Sequence, residues 1–308
     1  MAASSPFELA GWRLYRQATG RTRTGRVMNR QAIQSEAEIE TPTGKGAGDE
    51  NFPVGSFLIA PRLRPHVMHF YAFARAADDI ADNPALTPEE KIRRLDQMEA
   101  GLDGPGPDKA RLLAESLNAT GVTDRHARDL LVAFRQDAVQ TRYDDWKALL
   151  GYCDLSANPV GRFLMDLHGE DRALWSASDA LCTVLQILNH LQDCQDDYRQ
   201  MNRVYLPSEL LVDVSVLDLN ASTPSFRAVL DEILTRCDAL LEIARTRPVR
   251  PRSRRLAAEM GVITRLAARL KTRLANQDPL AARVALSKLD FAVSALGGVW
   301  TLIWPGRP

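Results

Sequence analysis

From Phe52 to the end of the chain, apolar residues recur at three- and four-residue spacing, and turn-bounded alternation is scarce. That period belongs to amphipathic helices and argues against a sheet. Asn83-Pro84 ends a first helix predicted over 65–82, because the residue before proline disfavours helical backbone. Thr87-Pro88-Glu89-Glu90 opens a second over 88–102, with a cap, a proline at the first position and an acid to close the capping box. Gly104-Pro105-Gly106-Pro107 then breaks the chain, Thr123-Asp124 starts a further helix, and Asn158-Pro159 divides the helical region that follows. Further helices are predicted over 178–201, 225–246, 252–275 and 280–302. The expectation is one all-α domain of eight to ten helices over 49–304, preceded by a flexible leader over 1–48.

Composition narrows the function. Lys+Arg number 39 and Asp+Glu 39 in 308 residues, so no overall positive field draws in nucleic acid. The four cysteines form no Cys-x-x-Cys pair, which suits reduced thiols in a cytoplasmic protein. The five histidines form no His-Glu-x-x-His motif. Six arginines and one acid occupy the first thirty residues; without a drawable amphipathic face they read as a disordered tail rather than a transit peptide. The uncharged run Phe291–Trp304, 14 residues long, is too short to span a bilayer and reads as a buried terminal helix.

Two acidic stripes carry the chemistry. Steps of four, three and four place Tyr71, Arg75, Asp78 and Asp82 on one helix face, with Asp79 beside them. Their flanks are mostly Ala, Phe and Ile, so the face looks inward. The aspartates also crowd the helix C-terminus, where the macrodipole disfavours carboxylates. A second stripe aligns Gln186, Asn189, Asp193 and Asp197 on an otherwise apolar helix, followed by Asn202-Arg203-Val204-Tyr205-Leu206-Pro207. Facing one another, such carboxylates would repel and protonate unless a cation intervened. Oxygen-only ligands point to Mg2+, with Mn2+ as the alternative, bridging carboxylates to substrate phosphates, and Arg75 and Arg203 would take further diphosphate oxygens.

At these residues the chain resembles the squalene/phytoene synthase family, and within it the bacterial hydroxysqualene-forming branch. The likeness rests on Asp49–Gly55, Arg64-Pro65-His66, Phe73–Asp82, Tyr152–Arg162 and Asn189–Cys194. It covers roughly Glu50 to Pro207, and the C-terminal third only in helical character. One departure is that Asp197 and Arg203 lie six residues apart, where five are usual in phytoene synthases.

The resemblance implies an isoprenoid-synthase helical bundle around a central cavity, with Asp78, Asp79, Asp82, Asn189, Asp193 and Asp197 holding Mg2+. It implies a prenyl diphosphate substrate contacted by Phe52, Tyr71, Arg75, Gln186, Asn189, Arg203 and Tyr205, and Tyr152 at the reacting centre. The reaction it implies converts presqualene diphosphate and water to hydroxysqualene and diphosphate, with no NADPH. Rivals are presqualene diphosphate, squalene, phytoene or dehydrosqualene synthesis, and a non-catalytic assembly factor, which the two complete stripes argue against. Phe57, Phe70, Phe73, Phe134 and Phe163, like Phe52, are candidates for an apolar wall, each more readily plain core. Arg245, Arg247, Arg250, Arg252, Arg254 and Arg255 form a basic run without stacking aromatics. It reads first as a solvated loop and next as a contact for anionic headgroups. A cytoplasmic enzyme peripheral to the inner membrane, beside neighbouring pathway enzymes, follows from a lipid product.

Overall fold

The computed structural model describes residues 59–303, residues 247 and 250 excepted. The 1–48 leader, Phe52 and Phe57 lie outside the described residues. Ten α-helices follow in order: α1 (Arg64–Ala81), α2 (Pro88–Asp103), α3 (Asp108–Thr120), α4 (Arg125–Val139), α5 (Trp146–Ser156), α6 (Asn158–Leu167), α7 (Trp175–Met201), α8 (Pro224–Arg245), α9 (Arg254–Asn276) and α10 (Lys288–Ile303). No strand joins them among the described residues, only one isolated bridge between Arg142 and Val204.

The helix starts follow capping chemistry. Thr87 accepts from the Glu90 amide at 3.3 Å, Asp145 from Ala148 at 2.7 Å, Thr223 from Phe226 at 3.2 Å and Ser253 from Leu256 at 3.2 Å. Each such cap stabilises its helix by about 1 kcal/mol.

Three boundaries differ from the sequence reading. Helix α3 was not anticipated: the Gly/Pro break is only a turn, and Asp108 restarts a helix that buries Ala110, Leu113 and Leu117. Helix α7 begins at Trp175, not 178, because Asp171 caps a short 3-10 turn that feeds directly into it. Helix α10 begins at Lys288, not 280. Leu280 and Val284 are buried at a helical four-residue interval, yet they lie on the irregular link from 277 to 287, where the Val284 carbonyl accepts from Gln192.

Helix α10 is also not buried over its described side chains, residues 288–297. Leu289 and Leu296 are 70% and 72% exposed, whereas Asp290 and Ser294 are buried. The reason is its docking partner: Arg269 and Arg273 of α9 reach the Asp290 carboxylate at 3.1 and 2.6 Å and draw the polar face inward. Hydrogen bonds from the Ser287 amide and hydroxyl, joined by these arginines, hold that carboxyl at about 2.

Burial divides between two clusters. Helices α1 to α4 and α6 close around Phe73, Ile80, Leu95, Met98, Leu113, Leu131 and Phe163. Helices α5, α7, α8 and α9 close around Leu149, Val184, Leu188, Phe226, Leu230, Leu241 and Leu270. Helix α7, 27 residues long, packs against α6 on one side and α8 and α9 on the other. Gly161 sets the α6–α7 separation: a Cβ there would lie 2.4 Å from Ser178 Oγ and 2.7 Å from Cys182 Sγ. All four cysteines are free thiols.

Candidate active site

The C-terminal turn of α1 presents its carboxylates as expected from their spacing, but arginine rather than carboxylate faces each of them. Arg75 forks between Asp78 at 3.0 Å and Asp79 at 2.7 Å. Asp79 turns into the protein, while Asp78 and Asp82 stay half-buried at the helix end. Desolvation first, then the nearby Asp82 carboxylate, raises the Asp78 carboxyl above its ordinary range, and Arg75 opposes the shift.

Arg203 closes this helix end from α7. Its guanidinium hydrogen-bonds Asp82 and donates to the Ala81 carbonyl at 2.9 Å, leaving the residue 5% exposed. In this structure Arg203 therefore orients Asp82. The chain leaves α7 at Asn202, which adopts the left-handed region at φ 53. Asparagine tolerates that conformation at a helix C-terminus. The turn brings the Arg203 amide back to the Asp197 carbonyl at 3.1 Å, and Arg142 clasps Asn202 through its backbone and side-chain oxygens.

Gln186, Asn189, Asp193 and Asp197 lie half-buried along one side of α7, with Leu188 and Leu191 buried on the other. Asp193 pairs with Arg283 from the α9–α10 link at 2.8 Å. Gln186 meets His190 at 3.2 Å. Burial, helped by the Arg203 charge, lowers the His190 ring to about 3. His190 is thus neutral, and its Nε2 can accept from the Gln186 amide.

Between the two stripes sits a polar cluster that the sequence reading only partly anticipated. Asp137 of α4 is 6% exposed and accepts from the Tyr152 hydroxyl at 2.8 Å and the Tyr205 hydroxyl at 3.0 Å. Tyr205 stacks on His190 with ring centroids 3.7 Å apart, and Tyr143 lies 5.3 Å from Tyr152. Desolvation pushes the Asp137 carboxyl up to about 6 against the pull of Arg203 and the two hydroxyls. The signal for Asp137 was present in the sequence: it continues the phase of buried Leu130 and Ala133, where an acid is costly unless hydrogen-bonded. Pairing of Val204 with Thr141 at 2.9 Å, and of Ser208 with Tyr143 at 2.8 Å, delivers Tyr205 and Tyr143 together.

Residues 46–290 match the squalene/phytoene synthase family. The chain belongs to that family. A hydroxysqualene synthase of Rhodopseudomonas palustris is 43% identical over 266 residues, covering 84% of this chain and 91% of the relative. One from Zymomonas mobilis is 44% identical over 257 residues, covering 80% and 86%. A solved squalene synthase from Alicyclobacillus acidocaldarius superposes with a TM-score of 0.65 at 26% identity, covering 80% of this chain and 94% of that one. A dehydrosqualene synthase solved in complex with a ligand shares the fold at a TM-score of 0.68 and 21% identity, covering 89% and 98%. As a squalene/phytoene synthase family member, the chain is an enzyme that uses isoprenoid diphosphates, and its fold is the isoprenoid-synthase bundle.

Tyr71 shares the α1 face with Arg75, and Asp193 stands out toward Arg283. Phe70 and Phe163 stack with centroids 4.0 Å apart inside the N-terminal core, which Phe73 joins and Phe134 borders. Phe70, Phe73 and Phe163 are core, and Phe134 is half-buried at its edge. No three His, Cys, Asp or Glu side chains converge as a ready-made metal cage among the described residues. The aspartate oxygens nevertheless suit Mg2+ in kind, since that ion takes one or two carboxylates and completes its shell with water and substrate phosphate.

Proposed function

We propose that this enzyme converts presqualene diphosphate and water to hydroxysqualene and diphosphate. The observation that carries the reading is the joining of α1 to the α7 exit by Arg203 and Asp82, directly beside the buried Asp137–Tyr152–Tyr205 cluster. One end of the site is rich in charge for a diphosphate, and the other offers oriented hydroxyls for a water. Relatives named hydroxysqualene synthases, matched over most of both chains, support the same choice.

Asp78 and Asp82, with Asn189, Asp193 and Asp197 opposite and Asp79 in support, are the residues that would hold Mg2+. The ion would neutralise the leaving diphosphate. Arg75, donating to Asp78 and Asp79, is placed to transfer hydrogen bonds to phosphate oxygens as the substrate enters. When the carbon–oxygen bond breaks, its electron pair leaves with diphosphate. The cyclopropylcarbinyl cation then rearranges to the 1′–1 linkage. Tyr152 and Tyr205 donate to Asp137, so each phenol oxygen keeps lone pairs with which to hold a water. As the water oxygen bonds to carbon, its proton passes to a phenol oxygen and the phenol proton to Asp137, which near pH 6 can hold it. No hydride is consumed, so NADPH has no part in the balance.

The test offers presqualene diphosphate and farnesyl diphosphate separately, with Mg2+ and without NADPH, and reads the lipid extract by mass spectrometry. Hydroxysqualene from presqualene diphosphate, abolished by a chelator, is the expected result. A presqualene, phytoene-like or dehydrosqualene product from farnesyl diphosphate would overturn the proposed reaction, and no product from either would revive the assembly-factor reading.

A further inference from the structure

Helix α10 has its amphipathicity reversed. Leu289, Phe291, Val293 and Leu296 are 70%, 37%, 40% and 72% exposed, while Asp290 and Ser294 face the protein at 6% and 0%. Soluble helices place these classes the other way round. A lone exposed leucine would be ordinary, but Leu289, Val293 and Leu296 follow one another at four and three residues on one face. The sequence beyond continues Gly297-Gly298-Val299-Trp300-Thr301-Leu302-Ile303-Trp304 without a charge.

The surrounding charge says what such a face meets. The chain as a whole is neutral, yet residues 245–290 carry ten arginines and two lysines against Glu259, Asp278 and Asp290. Arg265, Arg269 and Arg273 follow one another at four-residue intervals along the α9 face beneath α10; Arg269 and Arg273 bind Asp290, and Arg265 lies under Gly297. The side chains of Arg269 and Arg273 remain 40% and 30% exposed, and Lys288 is exposed at the start of α10. No helix among the described residues is long and apolar enough to cross a membrane. An uncharged face flanked by arginines is instead the pattern of a helix lying in the interface of an anionic bilayer.

We infer that α10 and the arginines of α9 form a docking surface for the headgroup and upper acyl region of an anionic lipid bilayer. The apolar face enters between the headgroups, and the cations meet lipid phosphates beside it. This goes beyond the catalytic reading and needs no substrate to be tested.

The purified full-length chain is sedimented with vesicles of phosphatidylcholine alone and of equimolar phosphatidylcholine and phosphatidylglycerol, at low and high salt. The double variant Leu289→Glu/Leu296→Glu is compared with Val212→Glu, a control at an 88% exposed valine outside the patch. The wild type and the control are expected to pellet with the anionic vesicles and to be released by salt. The double variant should lose about tenfold or more in bound fraction while keeping its circular dichroism spectrum. Wild type that stays in the supernatant, or equal binding by the double variant, overturns the inference. So does a dimer, seen by light scattering without lipid, that the double variant abolishes, because a second copy would then cover this face.

Discussion

The two aspartate stripes have similar spacing but are held in different ways. On α1, Asp79 and Asp82 are tied to Arg75 and Arg203 within packed structure, and Arg203 has almost no access to solvent. On α7, Asp193 pairs with Arg283 across a site where the two side chains are 34% and 53% exposed. Removing Asp82 takes the ion-pair partner from an arginine that is 5% exposed, whereas removing Asp193 does so for an arginine whose side chain is 53% exposed. The proposed reaction asks the same chemistry of both stripes, whereas the first is tied into the more deeply packed structure.

The largest expected effect would erase that contrast rather than express it. Asp78→Asn and Asp193→Asn should each lower turnover by about two orders of magnitude or more, since both remove a carboxylate from the proposed diphosphate end. Steady-state kinetics on folded protein reads this, and unchanged turnover in either variant breaks the pairing of the stripes. Stability should then separate them. Asp82→Asn is expected to cost about 3 kcal/mol by denaturant unfolding, because the buried Arg203 loses its ion-pair partner. Asp193→Asn should cost about 1 kcal/mol or less, and equal losses would refute the comparison.

Asp137 sharpens the contrast through pH. Its carboxyl is raised from the ordinary range to about 6, so the folded state binds its proton more tightly than the unfolded chain does. Its contribution is fully present below about pH 4 and falls as pH rises toward 6, by about 2–3 kcal/mol in all. Asp137→Asn should remove that slope from the pH dependence of unfolding, whereas Asp193→Asn leaves it in place. A further effect concerns the packing of α6 on the helix that both halves share: Gly161→Ala should cost about 1–3 kcal/mol from overpacking against Ser178 and Cys182, read as a lowered Tm.

How much of this could be read from sequence depended on whether a feature repeats. The α1 and α7 stripes repeat at the helical period and were legible, as was the all-α class, because several residues vote for each. Asp137 is marked only as a single acid in an apolar phase, and its two tyrosine partners lie 15 and 68 residues away, so the local pattern does not say what it binds. The direction of Arg203 depends on one left-handed asparagine, a backbone choice that residue spacing cannot express. The expected start of the last helix at 280 fails for the opposite reason: Leu280 and Val284 have helical spacing, yet they are buried on a link that only tertiary contacts define. Helix α10 deceived because uncharged runs are read as core, and nothing local says that Asp290 will find two arginines on α9.

The distribution of thiols between the two cores has a practical consequence. Cys153, Cys194 and Cys237 are buried in the cluster built from α5 and α7 to α9, and the cluster built from α1 to α4 and α6 contains none. Burial pushes the Cys194 and Cys237 thiols up to about 12, so in the closed protein they are both inaccessible and protonated. An alkylating reagent therefore works as a one-sided clock: every modification of these three records an opening of the C-terminal half, while motions confined to the helices around Asp78 pass unrecorded.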